Sequence, residues 1–180
     1  MYGRSHFAKT GAAQQWYVRI RAVQTGHYQQ SLQYRRQHLC LGIPVVVLSA
    51  VVGTAVFSTL NETETPIFVK IILGSTSILT AAIASLQTFL NYDSLSEKHL
   101  GAATKLSAIK KEIEEKTIVL TEDQEFTNFI EQVRLKWTSV TDEYPQISDK
   151  IWNRYCNQQI KGKFLDFEAV KATHNLKDQP

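Results

Sequence analysis

Acidic residues are missing from the first 61 positions of the chain, although the net charge of the whole chain is only +3. The unopposed basic residues of segment 1–38 are Arg4, Lys9, Arg19, Arg21, Arg35 and Arg36. Such a segment beside an apolar run predicts contact with anionic lipid headgroups, through Arg19, Arg21, Arg35 and Arg36. Nucleic acid is the alternative partner, and we rank it second because the basic residues lead directly into the apolar run.

Cysteine is scarce and the common catalytic motifs are absent. The two cysteines, Cys40 and Cys156, lie too far apart in sequence to suggest a disulfide framework or a metal site. The chain has no glycine-rich phosphate loop, no HExxH and no GxSxG. We therefore expect no catalytic residues, no cofactor and no bound metal. A cleavable signal peptide is not expected either, because the first apolar run begins only near residue 39.

Two apolar runs occupy the middle of the chain, at residues 39–60 and 67–90. The first contains no charged residue, and the second has only Lys70, near one end, where its long side chain can reach the interface. A helix of about 20 apolar residues spans a bilayer core of about 30 Å. The short polar connector 61–66 joins the two spans and lacks a potassium-filter motif. The sequence thus predicts an all-α membrane protein built on a two-helix transmembrane hairpin.

The orientation of this hairpin follows from the basic residues beside it. Arg35 and Arg36 precede the first span, and Lys98 and Lys105 follow the second. Basic residues accumulate on the cytosolic side of membrane helices. We therefore expect the connector to be extra-cytosolic and both termini to be cytosolic.

The segments that flank the spans read as cytosolic helices. Residues 1–38 form a basic amphipathic helix, with Trp16, Ile20, Val23 and His27 on one face, which packs on other helices or lies on the membrane surface. Residues 91–161 form a helical bundle that begins with heptad spacing, and residues 162–180 form a tail. The predicted contact face of the bundle, within a subunit or between subunits, consists of Leu95, Leu106, Ile109 and Ile113. His99 shares this face, and a packed histidine is its commoner role there.

Polar and small residues give the second span two distinct sides. One stripe, at alternating spacings of three and four, consists of Ser77, Thr80, Ala84, Gln87 and Asn91. Because lipid cannot satisfy an amide, this stripe must face protein or water. It either contacts another helix or lines a pore formed by several copies. On the first span, Gly42, Ser49 and Gly53 are expected to pack against the second span or against another subunit.

The order of these features resembles the SLATT-domain family of two-transmembrane effectors associated with SMODS and SLOG systems. The resemblance covers roughly residues 12–156. It rests on Trp16 in the N-terminal helix, on Tyr34-Arg35-Arg36 before the first span, and on the short hairpin. Beyond the second span, Asn91-Tyr92-Asp93 leads into a helix that carries His99, Ala102, Ala103, Leu106 and Ile113.

The resemblance implies a membrane effector of a bacterial antiphage or conflict system, which assembles into homo-oligomeric pores in the inner membrane. The chain carries no sensor domain of its own, so a separate sensor protein or a nucleotide signal is the expected trigger. The alternative is a non-conducting two-transmembrane scaffold whose cytosolic bundle recruits a partner.

Overall fold

A computed structural model describes residues 2–59, 65–119, 123–157 and 159–160. Within these ranges the chain is helical and contains no strand, which confirms the predicted all-α fold. Residues 120–122 of the predicted bundle, most of the connector 61–66 and the tail 162–180 lie outside the described residues. The elements are α1 (Tyr2–Thr59), α2 (Ile67–Leu90), α3 (Tyr92–Val119), α4 (Asp123–Glu143), α5 (Asp149–Ile151) and a π-helical turn (Trp152–Cys156).

Helix α1 joins two segments that the sequence analysis treated separately, the basic helix 1–38 and the first span. It runs without interruption through Gly26 and Pro44. No helix-stopping residue lies at the boundary near residue 38, where the sequence reads Arg36-Gln37-His38-Leu39. A proline inside a membrane helix is tolerated when neighbouring groups satisfy the carbonyl that it leaves free. The change from polar to apolar residues is therefore a change of environment within one helix.

The chain divides into two compact units. The hairpin unit is Leu32–Ser96, and it contains both apolar spans. The bundle unit consists of the described residues of Met1–Ser31 and Glu97–Pro180. Both α1 and α3 contribute residues to both units.

The core of the bundle unit is formed by α1, α3 and α4. Its buried apolar residues are Ala13, Ile20, Ala102, Leu106, Ile109, Ile113, Phe126, Phe129, Val133 and Val140. Each fully buried Val, Leu, Ile or Phe side chain stabilises the fold by about 1.5–3 kcal/mol relative to exposure. Of the predicted contact face, Leu106, Ile109 and Ile113 thus pack within one chain, whereas Leu95 belongs to the hairpin unit and is only half-buried.

Helices α2 and α3 are separated by the single residue Asn91. Its backbone is left-handed, with φ 45° and ψ 44°, and its N–H donates to the carbonyl of Gln87. Asparagine tolerates this conformation better than other residues with a side chain, which makes it a suitable helix terminator. Asn91, predicted as the last member of the polar stripe, is therefore also the residue that ends the second span.

Candidate functional site

The hairpin unit exposes large apolar side chains along both of its long helices. Among the most exposed are Val46, Phe57, Ile71, Ile78 and Phe89, each with at least 61% of its surface accessible. Segments of α1 and of α2 are long and apolar enough to cross a membrane. A soluble protein rarely exposes so much contiguous apolar surface, whereas lipid covers it without cost.

The face of α2 that packs inside the hairpin unit carries Thr80 and Gln87, two members of the predicted stripe. Thr80 is the buried residue of this helix, and its hydroxyl donates to the carbonyl of Thr76 at 2.8 Å. The amide of Gln87 lies against Gly42 of α1: a Cβ added there would sit 3.0 Å from Gln87 Nε2. The missing side chain of Gly42 therefore makes room for an amide between the two spans.

The structure divides the predicted stripe between two environments. Thr80 is buried, and Ala84 and Gln87 are half-buried, whereas Ser77 and Asn91 are exposed. Within a single chain, Thr80 and Gln87 thus have protein neighbours rather than water. That the whole stripe of five residues lines a lumen stays a prediction.

The small residues of the first span behave differently from one another. Gly42 is packed against Gln87, as expected for a contact with the second span. Ser49 is exposed, and a Cβ at Gly53 would meet no atom within 4 Å. The structure therefore shows no close neighbour at Gly53, and it places Ser49 on the surface of the hairpin unit. Contact of these two residues with another subunit stays a prediction.

A second polar stripe on α2 is exposed along its whole length. Its members, spaced by four, three, four, four and three residues, are Lys70, Gly74, Ser77, Ala81, Ser85 and Thr88. We call this set the exposed stripe. It lies between the packed face and the apolar face that carries Ile71, Ile78 and Phe89. This stripe was not predicted from the sequence. Small and hydroxyl residues follow helical spacing from Ser77 in two directions around the helix, and only one of the two stripes was recognised.

The hydroxyls of the exposed stripe are partly satisfied by the helix itself. Ser85 donates to the carbonyl of Ala81 at 2.8 Å, and Thr88 donates to that of Ala84 at 3.1 Å. Such bonds lower the cost of placing a hydroxyl in lipid but leave its oxygen able to accept from water. Lys70 is the only charged residue of α2. The stripe is therefore suited to close helix contact and to a wet surface.

The basic residues expected at the lipid headgroups are all on the surface. Arg19, Arg21, Arg35 and Arg36 are each exposed. Arg35 and Arg36 belong to the hairpin unit, shortly before the first span. Their contact with anionic lipid stays a prediction.

The bundle unit contains a buried pair of histidines that the sequence analysis did not find. Nδ1 of His27 on α1 lies 2.9 Å from Nδ1 of His99 on α3, and both rings are buried. Burial lowers the pKa of both rings, and proximity to His99 helps to lower the pKa of His27 to about 4. The spacing of Trp16, Ile20, Val23 and His27 placed His27 on the packed face. The pairing with His99 also depends on the register of α1 against α3, which could not be predicted from the sequence.

Two further contacts attach the segment after α4 to α1. Gln30 Oε1 accepts hydrogen bonds from the backbone N–H and the hydroxyl of Ser148, at 3.2 and 2.6 Å. At Gly26, an added Cβ would approach Cys156 Sγ to 2.5 Å and Ile147 Cδ1 to 2.8 Å. The absence of a side chain at Gly26 thus allows this close packing.

Among the described residues, no three His, Cys, Asp or Glu side chains form a group that could hold a metal ion.

What the fold defines is a helical membrane protein with two spans and a helical bundle. Residues 10–152 match the model of the SMODS and SLOG-associating 2TM effector domain family 4, and the chain belongs to that family. This confirms the resemblance drawn from the sequence. No curated protein and no solved structure matches the chain.

Proposed function

We propose that this chain is an oligomeric membrane effector that permeabilises the membrane of a bacterium in an antiphage or conflict system. Membership of a two-transmembrane effector family supports the effector role. The trigger is a separate sensor protein or a nucleotide signal. In this proposal the protein sits in the inner membrane, with both termini in the cytosol.

The exposed stripe is the observation that carries the pore-forming part of the proposal. A helix that only anchors a protein in lipid has no need of one face of serine, threonine, glycine and alanine along its whole length. Small residues let helices approach closely, and a water-filled lumen satisfies hydroxyl oxygens. We infer that the stripe faces the axis of an assembly, with the face of Ile71, Ile78 and Phe89 toward lipid.

An assembly is required because one hairpin supplies too few helices to enclose water. In it, Ser77 faces the lumen, as predicted from the sequence. Thr80 and Gln87 hold α2 at the orientation that turns the exposed stripe away from α1. This assigns the two packed residues a positioning role in the pore.

Thiol labelling in membranes tests the arrangement. In a chain without Cys40 and Cys156, Ser85→Cys should react with a charged, water-soluble thiol reagent, because this position faces the water-filled lumen. The matched control is Ser75→Cys, an exposed serine on the apolar face of the same helix, which should stay unmodified in lipid. Equal labelling at both positions, or at neither, would contradict the proposed face.

The non-conducting scaffold is the second candidate, and one observation favours it. The hydroxyl of Thr80 and the amide of Gln87, both on α2, already have protein neighbours in a single hairpin. The span therefore needs no lumen to satisfy them. In this alternative the exposed stripe only joins subunits, and the bundle unit recruits the partner.

A further inference from the structure

The bundle unit contains a cavity of about 320 Å³ beside the histidine pair. Its walls come from α1, α3, α4 and the segment after α4. They include His27, Trp137, Thr141, Tyr144 and Trp152. This volume lies at the lower end of the range typical of small-molecule sites, about 300–1,000 Å³.

The lining determines what kind of molecule fits. None of the described residues that line the cavity is Lys, Arg, Asp or Glu. The nearby cation Lys105, 5.0 Å from the ring centre of Tyr144, is paired with Glu143 at 2.6 Å. A phosphate or carboxylate entering the cavity would find no free cationic side chain among these walls, and burying it there is costly. Three aromatic side chains, Trp137, Tyr144 and Trp152, are part of the lining instead, and aromatic rings favour contact with planar apolar groups.

His27 also lines the cavity and has a ring nitrogen that can hydrogen-bond to a ligand. Its Nδ1 is engaged with Nδ1 of His99, so Nε2 is the ring nitrogen that it can offer to a ligand. In a neutral pair, one Nδ1 donates and the other accepts. His27 can therefore present Nε2 as an acceptor or a donor, according to which of the two rings donates.

We propose that this cavity binds an uncharged, planar heteroaromatic small molecule, which packs on Trp137, Tyr144 and Trp152 and hydrogen-bonds to Nε2 of His27. The proposal does not depend on pore formation. It adds a ligand site to the bundle unit, on the same helix α1 that continues into the first span. It also indicates that a charged nucleotide is not the occupant of this particular cavity.

Tryptophan fluorescence provides the test, because two of the three tryptophans line the cavity. Nicotinamide is the probe: it is neutral, planar and water-soluble, and it quenches indole emission on contact. Its carboxylate analogue nicotinate has the same ring and a negative charge at neutral pH. We expect saturable quenching of the full-length protein in detergent by nicotinamide, and only linear, collisional quenching by nicotinate.

Two matched variants locate the site. Thr141→Phe fills the cavity from an exposed position of α4 and should weaken nicotinamide binding at least about tenfold. Thr138→Phe, one turn earlier and outside the lining, should leave it unchanged. The hydroxyl of Thr141 donates to the carbonyl of Trp137 at 2.8 Å, and that of Thr138 donates to the carbonyl of Arg134 at 3.0 Å. Each variant therefore loses the same kind of hydrogen bond, and only Thr141 lines the cavity. In the wild type, a shift of the His27 Nε2 resonance on titration reports the hydrogen bond.

Linear quenching by both probes would overturn the site. Equal saturable binding of nicotinate would overturn its preference for uncharged molecules. Nicotinamide binding that Thr141→Phe leaves intact would overturn its location. Saturable binding with an unmoved His27 resonance would overturn the assigned hydrogen bond.

Discussion

Nδ1 of His27 lies 2.9 Å from Nδ1 of His99, although the two residues are 72 positions apart in the chain. The contact ties the helix that contains the first span to the helix that follows the second. Both rings are buried, so each is neutral at physiological pH. The pair stays joined only while at least one ring can accept a hydrogen bond.

The pair should make the stability of the bundle unit fall in acid. The pKa of His27 is about 4 in the folded chain against 6.5 in the unfolded chain, so the unfolded state binds more protons between these values. Stability is therefore full above pH 6.5 and is lost as the pH falls toward 4, by about 2 kcal/mol at pH 5. The melting temperature of His27→Gln should depend less on pH over this range. Identical pH profiles would show that the pair contributes nothing.

Gly26 should tolerate no side chain. Gly26→Ala places a methyl group 2.5 Å from Cys156 Sγ and 2.8 Å from Ile147 Cδ1, which forces a shift worth about 1–3 kcal/mol. Chemical denaturation measures the loss. Adding Cys156→Ala in the same chain removes the sulfur and should restore part of it. If Gly26→Ala were neutral or stabilising, the close packing of the two segments would be wrong.

Asn91 should be replaceable by glycine but not by a β-branched residue. Its φ of 45° is open to glycine at little cost, whereas valine in this conformation costs at least about 1–2 kcal/mol. Thermal melting in detergent should therefore rank wild type and Asn91→Gly together, above Asn91→Val. Equal melting of all three chains would mean that the residue between α2 and α3 is not left-handed.

Ile109 and Leu100 on α3 form a matched pair for the bundle core. Ile109 is 5% exposed and Leu100 is 47% exposed. Ile109→Asp loses an apolar contact and buries an unpaired carboxylate, at a cost of several kcal/mol, while Leu100→Asp adds a solvated charge. We expect the first variant to unfold the bundle unit or to change its size profile. The second should match wild type in both measurements.

Cysteine labelling of intact cells tests the proposed topology. In a chain without Cys40 and Cys156, an impermeant thiol reagent should modify Pro66→Cys, an exposed position before the second span, and not Lys98→Cys, an exposed position on α3. Membrane helices place their basic flanks inside the cell, and Lys98 belongs to such a flank. The reverse pattern, or modification of both, would reject cytosolic termini.

Several features of the fold could be predicted from the sequence, because they depend only on the spacing of apolar residues within one helix. Helix α2 covers the same residues as the second apolar run, 67–90, and the heptad spacing placed Leu106, Ile109 and Ile113 on a buried face. The continuity of α1 was not predicted, because the change from polar to apolar residues at 38–39 suggests a boundary between two helices. Hydropathy marks a change of surroundings and does not by itself show whether the helix ends there.

The side of the second span that packs against α1 could not be predicted from the sequence. Which side of α2 meets α1 depends on the fit of the Gln87 amide against Gly42, and helical spacing alone cannot specify that fit. The predicted polar stripe therefore straddled the packed face and the exposed stripe. Ser77 belongs to the predicted stripe and to the exposed one.

Release of a small dye from liposomes tests the central claim most directly. Ser77→Leu with Ser85→Leu replaces both serines of the exposed stripe by apolar side chains, and an apolar constriction closes a pore by dewetting. Ser75→Leu with Ala82→Leu adds the same number of leucines at exposed positions of the lipid-facing side. At equal incorporation, and at a protein density high enough to drive assembly without the trigger, we predict that wild type and the control release the dye while the stripe variant does not. Release by the stripe variant at the wild-type rate, or no release by wild type at any density, would contradict pore formation through this face.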